Sequence, residues 1–259
     1  MVFRANVPAW RRAGGGYERR TQLLPFRDTK SRAQRITRLS QAGKRVCCRN
    51  SMPVKVKICG ITNEADGLAA AEAGADALGF VFYEPSPRHI SVDAAASVIR
   101  KLPASVIKVG VFVNAPEGLV LHAARECGLN LLQFHGDESP EYCLGFGLMS
   151  MKAFRVRDRA SLEAVRAYRT DAWLFDAYTP GLPGGTGETF NWNLARQARD
   201  WGRPIFLAGG LSPENIAEAI QCARPYGVDV SSGVEAAPGK KDHARVKTFI
   251  EAAKAVEDG

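Results

Sequence analysis

From residue 54 onward one pattern recurs eight times: a short β-rich apolar run, then an amphipathic stretch with helix-start chemistry. The runs fall at 54–58, 77–82, 107–113, 131–134, 150–154, 173–175, 205–208 and 227–230. Asn63 with Asp66 reads as a capping pair, and Ser91-Val-Asp opens a second helix. Ser212-Pro213-Glu214 supplies an N-cap, a proline at the first helical position and an early acid, followed by Ile216, Ala219 and Ile220 at helical spacing. Further helices are expected near 116–127, 139–146, 160–169, 192–201 and 242–256. Strands that alternate with helices pair in parallel, because a parallel connection needs a long crossover. A doubly wound open sheet shares this alternation. Eight repeats within residues 52–259 point instead to a single closed (β/α)8 TIM barrel.

Residues 1–51 stand outside the pattern. They hold thirteen Lys and Arg against two acids, Glu18 and Asp28, a net charge of +11. The whole chain carries +8, so residues 52–259 carry −3. With few apolar residues to offset the entropy of ordering, the segment is expected to be a disordered basic extension. It has no apolar h-region or small-residue cleavage site, which speaks against a secretory signal. Three readings stay open: an extension the folded protein does not need, an Arg-rich transit peptide for organellar import, or an arm touching nucleic acid or an anionic surface. Met52 sits directly before the first run, as a natural start would. The acidic body argues against nucleic-acid binding, which calls for a basic face on the folded part.

The remaining composition is that of a soluble chain, 46% apolar and 24% charged. No apolar run approaches the ~18–20 residues of a membrane span, so no membrane partner is expected. Six cysteines show no C-x-x-C pair and no metal-ligand spacing, which suits a reducing, cytoplasmic location.

In such a barrel the C-terminal strand tips build the active site, while the opposite end serves stability. The tips read Cys59, Arg88, Asn114, His135, Arg155, Asp176, Gly209-Gly210 and Ser231-Ser232-Gly233. They contain no cluster of metal ligands, so neither a metal nor another cofactor is expected. The glycine and serine turns follow strands 7 and 8, where barrels commonly bind phosphate through backbone N–H groups. Gly185, Thr186 and Gly187, after strand 6, add further donors. The plainer alternative is that these glycines only make short turns.

Cys59 has two readings, a small buried hydrophobe or a thiol activated by the following helix N-terminus. Asp176 either positions backbone or acts as a general acid, its pKa raised by partial burial. Arg88, in a proline-stiffened loop, either grips a carboxylate in bidentate fashion or is a solvated charge. His135 either touches the ligand or makes a structural hydrogen bond, and Asp229 reads as a brace for neighbouring loops. Lys55 and Lys57 suggest nothing beyond strand-end solvation.

Several stretches together resemble the phosphoribosylanthranilate isomerase family of tryptophan biosynthesis. They are Lys57-Ile-Cys-Gly-Ile-Thr62, the segment from Gly79 to Ile90 with Pro85-Ser-Pro-Arg-His, and Val109-Gly-Val-Phe-Val-Asn114. Gln133-Phe-His-Gly-Asp-Glu138, Gly184-Gly-Thr-Gly187, Leu207-Ala-Gly-Gly-Leu-Ser-Pro-Glu-Asn215 and Asp229-Val-Ser-Ser-Gly-Val-Glu235 follow in the family's order, with Pro238-Gly-Lys-Lys-Asp242. The resemblance implies an Amadori rearrangement of N-(5′-phosphoribosyl)anthranilate to 1-(o-carboxyphenylamino)-1-deoxyribulose 5-phosphate. Cys59 matches the family's general base, Asp176 its general acid, Arg88 the grip on the anthranilate carboxylate, and the glycine and serine turns the phosphate site. A small phosphorylated substrate is the implied partner, and a monomer or homodimer the implied state. Phe134, Asn191 and Ala236 depart from the family's usual residues, away from the acid and base. The runner-up is another phosphate-binding barrel isomerase, the histidine-pathway Amadori enzyme, whose family has an aspartate where this chain has Cys59.

Overall fold

A computed structural model describes residues 53–176 and 192–256. Strands β1 (Lys55–Cys59), β2 (Ala77–Val81), β3 (Ile107–Phe112), β4 (Leu131–Phe134), β5 (Met149–Arg155), β6 (Ala172–Asp176), β7 (Ile205–Ala208) and β8 (Gly227–Val230) pair in parallel in chain order. β8 pairs with β1, so the sheet closes into a barrel. Helices α1 (Glu64–Glu72), α2 (Val92–Ile99), α3 (Glu117–Cys127), α4 (Pro140–Leu144), α5 (Arg159–Ala164), α6 (Trp192–Ala198), α7 (Ile216–Ala223) and α8 (His243–Lys254) follow the strands. The expected (β/α)8 barrel is the architecture found, and all eight strands lie within a residue or two of the expected runs.

Successive side chains on a strand point to opposite faces, and the sequence separates the two sets. Val56, Ile58, Leu78, Phe80, Leu132, Phe134, Trp173, Phe175, Leu207 and Val228 pack in the layer between sheet and helices. Burying each such side chain contributes about 1.5–3 kcal/mol. The other parity fills the barrel: Ala77, Val109, Leu131, Met151, Ala172, Leu174 and Ala208 form the interior core. Nearer the C-terminal mouth the same parity brings Cys59, Val81 and Val111 together.

Helix starts follow local chemistry. Asn63 Oδ1 accepts the Asp66 N–H at 2.9 Å, and Ser91 Oγ accepts that of Ala94 at 3.3 Å. Ahead of α7 the expectation needs correction, since the helix begins at Ile216 with Asn215 at its N-cap. Ser212 to Asn215 form a separate turn, with Asn215 Oδ1 accepting the Ser212 N–H at 2.9 Å. A small antiparallel hairpin of β9 (Glu235–Ala237) and β10 (Lys240–Lys241) lies between β8 and α8, where no strand is expected from the apolar pattern. Among the described residues no helix is long and apolar enough to cross a membrane.

Candidate active site

The strand tips surround a cavity of about 470 Å³ at the C-terminal mouth of the barrel. Cys59, Arg88, His135, Asp176, Gly209, Gly210, Asp229, Ser231 and Ser232 all line it. Of the tips read from the sequence, Asn114 and Arg155 are absent from its walls. Asn114 instead braces the loop after β4, its Oδ1 accepting the Asp137 N–H at 2.7 Å. Gly233 is not among the lining residues, and it packs so close to Leu211 that an added Cβ would collide with the Leu211 carbonyl. Gly185, Thr186 and Gly187 lie outside the described residues, as does the 1–51 segment.

Cys59 ends β1 and is almost fully buried. Its neighbour across the sheet is Gly79, where an added Cβ would sit 2.8 Å from Cys59 Sγ. The glycine therefore makes room for the thiol. The expectation of a lowered thiol pKa at this tip is not met. Burial pushes its pKa up, and the Lys57 ammonium opposes that rise.

Lys57 itself corrects the strand-end reading. It is 1% exposed, inside the barrel two residues before Cys59, and its Nζ donates to Asp229 Oδ1 at 2.8 Å. The two residues are cross-strand neighbours of β1 and β8. Asp229 is thus the partner of a buried cation as well as part of the cavity wall. Only Lys55 stays near the surface, where it pairs with Asp76 at 3.1 Å.

Asp176 ends β6 and is partly buried. Its Oδ2 meets His135 Nε2 at 3.2 Å, and His135 Nδ1 meets Gln133 Nε2 at 3.1 Å. An amide nitrogen only donates, so Nδ1 accepts from Gln133 and Nε2 carries the hydrogen given to Asp176. Gln133, two residues earlier on the same face of β4, thus orients His135, a role that no motif in the sequence marks.

Arg88 reaches the cavity from the loop after β2, but two of its donors are already engaged. Nε and Nη2 meet the two oxygens of Glu235 at 2.8 and 2.6 Å. Buried Lys241 donates to the same carboxylate at 2.8 Å and to the Ser231 carbonyl at 3.2 Å. Burial alone would raise the Glu235 pKa, yet the bonds from Arg88 and Lys241 hold it below the usual range. Neither Glu235 nor Lys241 is visible as a site residue in the sequence, because the β9–β10 hairpin that carries them has no apolar signature.

After β7, Gly209 and Gly210 have φ of 84° and 64°, a left-handed conformation that glycine holds without a Cβ penalty. Ser231 Oγ donates to the Cys59 carbonyl at 3.1 Å, joining the ends of β8 and β1. The cavity is therefore lined by a thiol, a carboxyl, an arginine and the glycine and serine turns after β7 and β8.

Comparison with known proteins agrees with this arrangement. The family model described as N-(5′-phosphoribosyl)anthranilate (PRA) isomerase matches residues 56–252. This chain belongs to that family. N-(5′-phosphoribosyl)anthranilate isomerase of Trichlorobacter lovleyi is 55% identical over 201 residues, 78% of this chain and 98% of the relative. The solved phosphoribosyl anthranilate isomerase of Thermotoga maritima is 47% identical with a TM-score of 0.74, over 78% of this chain and 98% of that one. A further phosphoribosyl anthranilate isomerase, 45% identical with a TM-score of 0.71 over 78% of this chain and 98% of its own, was solved in complex with reduced 1-(o-carboxyphenylamino)-1-deoxyribulose 5-phosphate. Family membership sets aside the histidine-pathway alternative, in keeping with a cysteine rather than an aspartate at the tip of β1.

Proposed function

We propose that Cys59 and Asp176 are the base and the acid with which this chain rearranges N-(5′-phosphoribosyl)anthranilate in tryptophan biosynthesis. The observation that carries the assignment is one cavity lined by a thiol from β1 and a carboxyl from β6. The product is 1-(o-carboxyphenylamino)-1-deoxyribulose 5-phosphate.

Asp176, as the carboxylic acid, gives its proton to the ribose ring oxygen. The C1′–O bond breaks with its electron pair going to that oxygen, and the nitrogen lone pair closes a C1′=N iminium. The Cys59 thiolate then takes the C2′ proton. The C–H pair becomes a C1′=C2′ double bond, and the C=N π pair returns to nitrogen, giving an enolamine. Tautomerisation moves a proton from the C2′ hydroxyl to C1′ and leaves the ketone. His135, donating to Asp176 Oδ2, fixes the plane of the acid.

Arg88 keeps three of its five N–H donors after Glu235 has taken two, enough to hold the anthranilate carboxylate. Val81, Val111 and Val113 supply an apolar wall for the aromatic ring. Backbone N–H groups of Gly209, Gly210, Ser231, Ser232 and Gly233 are assigned to the phosphate, with Gly185, Thr186 and Gly187 as further donors.

Steady-state kinetics on Cys59→Ala and Asp176→Asn test the pair. Each should lower kcat by about 10²- to 10⁴-fold with an unchanged melting temperature. Turnover at the wild-type rate in either variant would remove that residue from the chemistry.

A further inference from the structure

We propose that Lys57 is a positioning residue for Cys59, its ammonium lying between the Asp229 carboxylate and the Cys59 sulfur as the counter-charge of the thiolate. The proposal rests on the reading of Cys59 as the base. Three observations carry it. Lys57 and Cys59 share the inward face of β1, two residues apart. Lys57 Nζ and Cys59 Sγ lie 3.1 and 2.8 Å from the same point in space, the place a Cβ on Gly79 would occupy. Lys57 Nζ is also 2.8 Å from Asp229 Oδ1, with 1% of the lysine side chain exposed.

A buried ion pair is a weak source of stability, because desolvation of two charges offsets most of their attraction. At this place it has a chemical use. A thiol inside a barrel resists ionisation, and a carboxylate as near as Asp229 raises that resistance further. The Lys57 ammonium answers both, and Asp229 together with the sulfur keeps Lys57 protonated against the effect of its own burial. Other titratable groups face Cys59 as well: Lys241 from β10, Arg88 from the loop after β2, and Asp176 with His135 across the cavity. Lys241 and Arg88 share Glu235, and Lys241 acts on the thiol less strongly than Lys57 does, so neither replaces Lys57 as the counter-charge. The glycine at position 79 leaves the space in which ammonium and sulfur meet.

The test reads the thiol directly. Full-length wild type, Lys57→Met and Lys57→Met/Asp229→Asn are alkylated with iodoacetamide across a pH series, and Cys59 modification is followed by peptide mass spectrometry. The double variant removes both members of the buried pair and keeps the experiment decisive if the single one fails to fold. Lys57→Met should alkylate Cys59 at least tenfold more slowly at pH 7, with its midpoint displaced upward by a pH unit or more. Its kcat should fall in step and recover partly at higher pH, with KM little changed. In the double variant the midpoint should also lie above wild type, since the lysine acts on the thiol more strongly than the aspartate does. A folded variant of either kind with the wild-type midpoint would overturn the proposal. That failure is distinct from failure of the base assignment, which would appear as an active Cys59→Ala enzyme.

Discussion

At the scale of single residues, the cavity depends on side chains that are absent as much as on those present. Gly79 has ordinary strand geometry, so alanine there is acceptable to the backbone. Its Cβ would nevertheless fall 2.8 Å from Cys59 Sγ, 3.1 Å from Lys57 Nζ and 3.2 Å from Cys59 Cα. Gly79→Ala should cost about 1–3 kcal/mol through overpacking and displace the thiol, and urea unfolding with parallel kinetics would record both losses. Glu235 shows the opposite dependence, a charge whose removal strands two others. Glu235→Gln should destabilise by about 3–5 kcal/mol, because buried Lys241 and half-buried Arg88 lose their shared carboxylate. An unchanged denaturation midpoint would mean that both cations find other partners. Cys59 and Asp176 are legible in sequence because each ends an apolar run. Lys57 is not, because a lysine inside a barrel looks like any strand lysine until its neighbour on β8 is known.

Between elements, one carboxylate does most of the joining on the α1 side. Asp66 caps with Asn63 at the start of α1, and it also accepts the Lys241 N–H at 2.9 Å and meets His243 Nε2 at 2.8 Å. These bonds tie α1 to the β10–α8 connection. Burial alone would raise the Asp66 pKa, but the bonds from Lys241, His243 and Asn63 hold it below the usual value. A depressed folded pKa means stability that is complete above the unfolded value of ~3.9 and is lost as pH falls through the folded one. Asp66→Ala should cost about 1.5–3 kcal/mol at pH 7 and less as the pH drops below that range. Equal costs at pH 7 and in strong acid would contradict the linkage. The Asn63–Asp66 pair is visible as a local signature. Its ties to residues 241 and 243 are contacts across most of the chain, and no local pattern announces them.

Across the whole molecule, the decisive event is the pairing of β8 with β1, which closes the barrel and sets Lys57 beside Asp229. The family match covers residues 56–252 and leaves out residues 1–51. We therefore expect a chain beginning at Met52 to keep full kcat/KM and the same melting temperature. A loss of either would give the basic segment a structural role. The amino-acid sequence determined the eightfold alternation, the parallel sheet and the strand tips Cys59 and Asp176 that we propose as base and acid. All of these follow from periodicity and strand polarity, which are local properties. Tertiary structure alone decided which charges meet: Lys57 with Asp229, Arg88 and Lys241 with Glu235, His135 with Asp176. Such pairings depend on barrel closure and on where a hairpin lands, and Coulomb interactions between residues 172 positions apart leave no trace in the order of the letters.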